Sequence, residues 1–389
     1  MRKNYGSSML VFLCGYRIDV FGLRWIVVWI CSGIRQCSSG GGGHFEQALN
    51  PYSASLSGDN FMANIPNYMP LLYIVMYPIG LLEWEDAKIV FAFLNYFFFL
   101  ATVFLFLTKS GVERGIVFVF STLVILGFTY GNVVSNAQTT IFMGFCAVIA
   151  YCYRKNSTIL TIALTFLLIK HSVGVPIVFG FFLAGFRKES ILSGILMLLI
   201  ISVTALVFGV TPVEFLQSML QVNSQTYTSQ GSLGGPGDLI SLSQKLFHTP
   251  YSPIGLLSLC LYLFFALIVY LKKPHTSQII ATSIVLSLVS LPHLGYDYYL
   301  LFIALVLAFK NMRVTYLHLY VVCFTLFLWR CSFLKPWIDA INLTLFPNWG
   351  KTHWAMDMGI PFCVFVVMNL FLMGYVFLNA KSSASKQPF

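Results

Sequence analysis

The chain has 389 residues, of which 58% are apolar, 16% aromatic and only 9% charged. Soluble domains carry about 25% charged residues, so the composition excludes a soluble protein, and continuous apolar blocks in place of short alternating segments argue against a large membrane β-barrel. The net charge of +10 reads first as topology, because Lys and Arg concentrate in the cytoplasmic loops of helical membrane proteins, and no nucleic-acid partner is expected.

In chain order, the first apolar stretch covers residues 9–34 and contains Arg17, Asp19 and Arg24. It lacks a clean small-residue cleavage site, so no cleaved signal peptide is expected, and a first span is placed within residues 20–34. A polar stretch follows over residues 35–67, with a glycine run at 40–43 and the turn-forming Asn50-Pro51-Tyr52. Residues 69–82 and the acidic cluster Glu83-Trp84-Glu85-Asp86 come next. Apolar segments are then predicted at 87–108, 115–134, 138–153, 158–186, 189–211, 252–271, 278–291, 296–309, 314–329 and 359–379. The expected fold class is therefore an all-α polytopic membrane protein of about 10–12 transmembrane or re-entrant helices. One transmembrane domain covers residues 1–389. Its parts are an atypical N-terminus (1–67), a helical core (68–330), and a last outer loop, final span and cytoplasmic tail (331–389). Of the nine Cys, Cys146, Cys152, Cys260, Cys323 and Cys363 lie in or beside apolar segments, where a free Cys acts as a small hydrophobe. No Cys/His spacing suggests a metal.

The basic residues sort the topology. Lys109 with Arg114, Arg154 with Lys155, Arg187 with Lys188, Lys272 with Lys273, and Lys310 with Arg313 occupy short links, and Lys381 and Lys386 the tail. The positive-inside rule puts all of these in the cytoplasm. The opposite, outer turns are then 35–67, 131–138, 170–172, 212–250, 292–297 and 330–357. Between Lys155 and Arg187 lie about 31 residues, whereas one crossing takes ~20. The arms around Lys170 cannot both span, and those around His293 and Asp297 are similarly short. Such turns are expected below the outer surface, where irregular backbone lines a water-filled cavity. The same parity places Glu83 to Asp86 outside and makes residues 69–82 a re-entrant or interfacial helix.

Ionisable groups at membrane depth cost about 2.5–3.5 kcal/mol on insertion scales and are functional by default. Lys170, His171, His293 and Asp297 qualify. The plainer alternative is that Lys170 snorkels while His293 and Asp297 cap helix ends, but two buried polar turns on one side favour a site. Tyr296, Tyr298 and Tyr299 beside these turns are candidate ligand contacts, whereas Trp337, Trp349 and Trp354 read as interface anchors. Phosphate chemistry needs cations to neutralise a leaving group and a carboxylate to deprotonate an acceptor. Outer or embedded cations are Lys170, His171, Lys245, His293, Arg330, Lys335 and Lys351; outer carboxylates include Glu46, Asp59, Glu214, Asp238, Asp339 and Asp357. The absence of a Walker loop, GxSxG and HExxH removes ATP hydrolysis, serine hydrolase and zinc protease readings.

Together these segments resemble the integral-membrane glycosyltransferases of the GT-C fold, specifically glycosyltransferase family 87. The likeness rests on Asn67-Tyr68-Met69-Pro70-Leu71-Leu72 with Tyr77-Pro78-Ile79-Gly80-Leu81-Leu82, on Asn136-Ala137-Gln138, on Lys170 at a helix end, and on Pro292-His293-Leu294 with Tyr296-Asp297. It covers roughly residues 50–310, and order and spacing carry more than any single motif. At Lys170 the family has Lys-Pro; here His171 replaces the proline.

The resemblance implies a GT-C-like bundle in the inner (cytoplasmic) membrane, multi-pass, with an outward-facing active site. It implies a polyprenyl-phosphate sugar as donor, mannose or a pentose as the sugar, a lipid or glycan acceptor, contact with membrane lipids, and no cofactor or metal. Tyr68, Asn136, Gln138, Lys170, His171, His293, Tyr296 and Asp297 become the expected substrate-binding residues. Lys170 and His293 would hold the donor phosphate, and Asp297 would orient His293 or contact sugar hydroxyls. The family's supposed catalytic base is an Asp just after the first span, yet no Asp occurs between Val20 and Pro51. Either Glu46 or Asp59 takes that role, or the protein is inactive. The alternatives are a transporter or flippase of lipid-linked sugars, which would show related halves, and a polysaccharide polymerase or ligase acting through the 212–250 loop. That loop has one Lys, no Arg and several Gly and Ser, and reads as a flexible acceptor gate.

Overall fold

The computed structural model describes residues 68–80, 82–126, 128–135, 138–229, 252–291 and 295–310. Among these residues the chain is helical and contains no strand, as an all-helical membrane protein must be when backbone groups have no water to turn to. The helices are α1 (Pro70–Gly80), α2 (Trp84–Lys109), α3 (Arg114–Leu126), α4 (Phe128–Ser135), α5 (Thr140–Cys152), α6 (Ser157–Leu167), α7 (His171–Leu183) and α8 (Arg187–Val207). There follow α9 (Pro212–Ser229), α10 (Ser252–Lys272), α11 (Thr276–Ser290), a 3-10 segment (Gly295–Tyr299) and α12 (Leu300–Phe309).

Helix length decides where the polar turns lie. At 26 and 21 residues, α2 and α8 are long and apolar enough to cross a bilayer. In contrast α5, α6, α7, α11 and α12 have 13, 11, 13, 15 and 10 residues. At 1.5 Å per residue these are about 15–22 Å long, against a hydrocarbon core of about 30 Å. The short arms counted between basic links are thus real helices that stop early. Helix α1, with 11 residues, is about 16 Å long and cannot cross either, in keeping with a re-entrant or interfacial segment. Two predicted segments are divided: 158–186 becomes α6 and α7, separated at Lys170, and 115–134 becomes α3 and α4.

The basic links between helices collect at one end. Lys310 Nζ donates to the Ser110 carbonyl at 2.5 Å and to the Tyr151 hydroxyl at 3.0 Å, which ties the end of α12 to the ends of α2 and α5. Gly111 allows this reach: its φ is +72°, and a Cβ there would lie 3.3 Å from Lys310 Nζ. A cation on the last carbonyls of α2 also suits the negative end of that helix's dipole. Nearby, the Arg154 guanidinium lies 4.8 Å from the centre of the Tyr151 ring, and Ser157 Oγ donates to Glu189 at 2.8 Å. The starts of α5, α7 and α12 therefore lie at the opposite end.

Between the two ends, aromatic and small residues interlock. The Tyr299 ring packs on Phe99 and Phe302 at 6.5 and 5.9 Å, and it enters because position 144 is glycine, where a Cβ would come within 2.8 Å of the ring. Tyr298 and Tyr299 are 2% and 0% exposed and pack into the same core as Tyr296. Helices α7 and α11 meet where Gly180 faces Ser283, a small-on-small contact of the kind that lets helices in a membrane approach closely.

The reading of residues 212–250 as loop also needs correction, since residues 212–229 form α9. Thr211 and Glu214 explain its start. The Thr211 hydroxyl accepts from Glu214 N at 3.2 Å, and Glu214 Oε2 accepts from Thr211 N and its hydroxyl, both at 2.9 Å, a capping box with Pro212 at the first helical position. Phe215, Met219 and Val222 then bury one face, with Phe215 stacked on Phe208 at 6.1 Å. The two Thr211 hydrogen bonds hold the Glu214 carboxyl below the usual carboxylate range. A folded-state pKa lowered in this way contributes stability above the unfolded value and loses it as pH falls through the folded one. Acidification is therefore expected to lower the protection of the Thr211, Glu214 and Phe215 amides, measured against intrinsic exchange at the same pH, before it affects α8; unchanged protection there down to full carboxyl protonation would contradict the capping role.

Candidate functional site

Three polar turns, far apart in sequence, meet at the end opposite the basic links. The first joins α4 to α5. Gln138 N donates to the Val133 carbonyl at 3.0 Å, and the Gln138 side-chain oxygen accepts from the Tyr68 hydroxyl at 2.7 Å. Thr139 then precedes α5, whose first residue is Thr140. The second turn joins α6 to α7 and carries Lys170, the residue just before α7, with extended backbone angles (φ −112°, ψ 94°). Its carbonyl accepts from Val173 N and Gly174 N at 3.0 and 2.7 Å. The third is the 3-10 segment, with Asp297 in its first turn.

The centre of the arrangement is an ion pair. Lys170 Nζ donates to both Asp297 carboxylate oxygens at 2.6 Å, across 127 residues of sequence. The Lys170 side chain is 8% exposed and that of Asp297 0%. Thr140 Oγ1 donates to Asp297 Oδ1 at 2.8 Å. The ammonium also faces two rings, with the centre of Tyr296 at 4.9 Å and that of Tyr68 at 5.8 Å, a favourable arrangement for a desolvated cation. Tyr68 is held in turn by the Met69 N to Ile169 carbonyl bond at 2.8 Å, which docks the start of α1 on the residue before Lys170.

The electrostatics explain why the pair exists. A cation beside the first turn of α7 sits at the positive end of that helix's dipole, which is unfavourable. Burial adds the loss of hydration. A carboxylate contacting the ammonium through both oxygens, itself satisfied by the Thr140 hydroxyl, offsets both effects. Lys170 therefore does not snorkel to water, and Asp297 does more than cap a helix.

Of the expected site residues, the structure brings together Tyr68, Gln138, Lys170, Tyr296 and Asp297. His171 begins α7 beside Lys170 and is partly buried. Glu46, Asp59, Asn136 and His293 lie outside the described residues. Asp297, expected to orient His293 or contact sugar, is turned onto Lys170. Thr140 is a member that sequence reading did not single out; its only signal is a hydroxyl at the head of an apolar helix, two residues after Gln138. Among the described residues no group of His, Cys, Asp and Glu is placed to hold a metal ion.

Chemically, the cluster presents one desolvated ammonium with donor capacity beyond its two carboxylate contacts, flanked by aromatic rings and hydroxyls. An ammonium so placed can donate a further hydrogen bond to an oxygen acceptor. Comparison with known proteins gives an independent finding: the family model for "Glycosyltransferase family 87" matches residues 67–292. No curated protein and no solved structure matches. The matched stretch contains Tyr68, Gln138, Thr140 and Lys170, and Asp297 follows five residues after its end.

Proposed function

Because the chain belongs to glycosyltransferase family 87 and so is a glycosyltransferase, we propose that it moves a sugar from a polyprenyl-phosphate donor to a lipid or glycan acceptor at the outer face of the cytoplasmic membrane. The observation that supports this most is the convergence of three polar turns on a buried Lys170–Asp297 pair, at the ends of helices too short to cross the bilayer. A lipid-linked donor keeps its chain in hydrocarbon, so a site sunk below the outer surface can take the phosphate while the chain stays in the bilayer. The basic links at the other end support an outward-facing site by the positive-inside rule.

The reaction needs no intermediate on the protein. The acceptor hydroxyl oxygen attacks the anomeric carbon as the carbon–oxygen bond to phosphate breaks. The bonding pair leaves on the phosphate oxygen, and the hydroxyl proton passes to a carboxylate, Glu46 or Asp59. Direct attack inverts the anomeric configuration. Lys170 and His293 offset the charge that develops on the phosphate, and the Tyr68 and Tyr296 rings flank it. The sugar is mannose or a pentose on this reading.

The test is transfer of labelled sugar by purified protein from a panel of polyprenyl-phosphate sugars, with extracts supplying acceptors, together with mass spectrometry of lipid-linked intermediates in cells carrying wild-type, Lys170→Ala or His293→Ala protein. Transfer from one donor, and accumulation of its unextended acceptor in both variants, is the expected result. No transfer from any donor, or identical lipid profiles in all three strains, would overturn it.

A further inference from the structure

Lys170 could be neutralised by a single carboxylate oxygen, yet it meets both oxygens of Asp297, and one of these also accepts the Thr140 hydroxyl. That third contact adds nothing to the charge balance. It fixes the plane of the carboxylate, because the Thr140 side chain is buried at the first position of α5 and has little freedom. The start of α5 also sets the flank of the ammonium, since Gln138 holds the Tyr68 hydroxyl and the Tyr68 ring faces Lys170. A flexible four-carbon side chain thus ends in a fixed place, with one N–H beyond its two carboxylate contacts.

We propose that Thr140 and Asp297 are positioning residues for sugar transfer: Thr140 orients the Asp297 carboxylate, and the carboxylate aims the Lys170 ammonium at the donor phosphate. This rests on the reading of Lys170 as a ligand of that phosphate. Neither residue touches the reacting atoms. Their effect is on the placement of a charge that must sit within a few tenths of an ångström to act on the leaving group.

Thr140→Val keeps the volume and removes only the hydroxyl, and Thr140→Ser restores the hydroxyl without the methyl. Donor and acceptor KM, kcat, inhibition by polyprenyl phosphate alone and melting temperature are measured for both in detergent. For Thr140→Val, donor KM and the inhibition constant of polyprenyl phosphate are expected to rise together by about fivefold to tenfold, the effect of one misdirected charge-assisted hydrogen bond. Acceptor KM should stay unchanged, and Thr140→Ser should return donor KM to within about twofold of wild type. A purely structural role would lower the melting temperature and the active fraction, neither of which moves KM. Wild-type donor KM in Thr140→Val, or failure of Thr140→Ser to restore it, would overturn the proposal. Lys170→Met/Asp297→Asn, which removes both charges together, separates the two levels. If that double variant folds and keeps wild-type donor KM, the reading of Lys170 itself is wrong; if it has lost donor binding while Thr140→Val has not, only the positioning role falls.

Discussion

Lys170→Ala and Asp297→Ala are each expected to destabilise the protein by about 3–5 kcal/mol and to abolish sugar transfer, while Lys170→Met/Asp297→Asn recovers most of the stability and none of the activity. The asymmetry follows from burial. With side-chain exposures of 8% and 0%, neither ion can recover its hydration when its partner is removed, so each single variant leaves a desolvated charge. Removing both charges leaves Met in an apolar volume that already suited the lysine stem, and an Asn whose oxygen can still accept from Thr140. Thermal unfolding in detergent gives the stability side, and Lys170→Met, Asp297→Asn and their double form a cycle in which the double should be far less destabilised than the sum of the two singles. Single variants as stable as wild type would mean that the pair is open to water and contributes little. A double variant that still transfers sugar would remove the ammonium from the mechanism, however well it folds.

How much of this was legible in the sequence differs between fold and site. The helical membrane class followed from composition, and the short arms followed from counting residues between basic links, because bilayer thickness is a fixed ruler. Lys170 and Asp297 stood out singly, since a charge at membrane depth is expensive wherever it occurs. That they pair with each other was not legible: 127 residues separate them, and helical periodicity reports only neighbours on one element. Thr140 was missed because a hydroxyl heading an apolar helix looks like an ordinary cap. Residues 212–229 were read as loop because the Gly and Ser content of the whole 212–250 stretch outweighed a helix signal at its start, Thr211 three residues before Glu214 with apolar residues at 215, 219 and 222. Tyr298 and Tyr299 adjoin Asp297 in sequence, but the packing partners of the Tyr299 ring, Phe99 and Phe302, do not. In three dimensions Gly144 opens a slot for the Tyr299 ring, and no local pattern announces a slot on another helix.

Gly174→Ala should be among the most damaging small substitutions in the molecule, and the contrast with Gly180→Ala shows why. A Cβ at position 174 would overlap the Leu167 backbone carbonyl and lie 2.9 Å from Leu168 Cα. Those atoms belong to the turn between α6 and α7 and cannot rotate away. The first turn of α7 must shift, and because Gly174 N is bonded to the Lys170 carbonyl at 2.7 Å, Lys170 shifts with it and away from Asp297. A loss of about 3 kcal/mol, at the upper end of the usual overpacking range, together with loss of transfer, is expected. A Cβ at position 180 would instead overlap Ser283 Oγ and lie 2.6 Å from Ser283 Cβ, and those are side-chain atoms. Gly180→Ala should cost about 1–3 kcal/mol, and Ser283→Gly should relieve most of it, less the ~1 kcal/mol that a helical glycine costs. Second-site changes restricted to side chains should do nothing for Gly174→Ala, because the obstruction is main chain. Melting temperatures of the two singles and the Gly180→Ala/Ser283→Gly double decide the matter. A Gly174→Ala protein that melts with wild type would show that the α6–α7 turn yields easily, and a turn that yields could not hold the Lys170 ammonium in a fixed place.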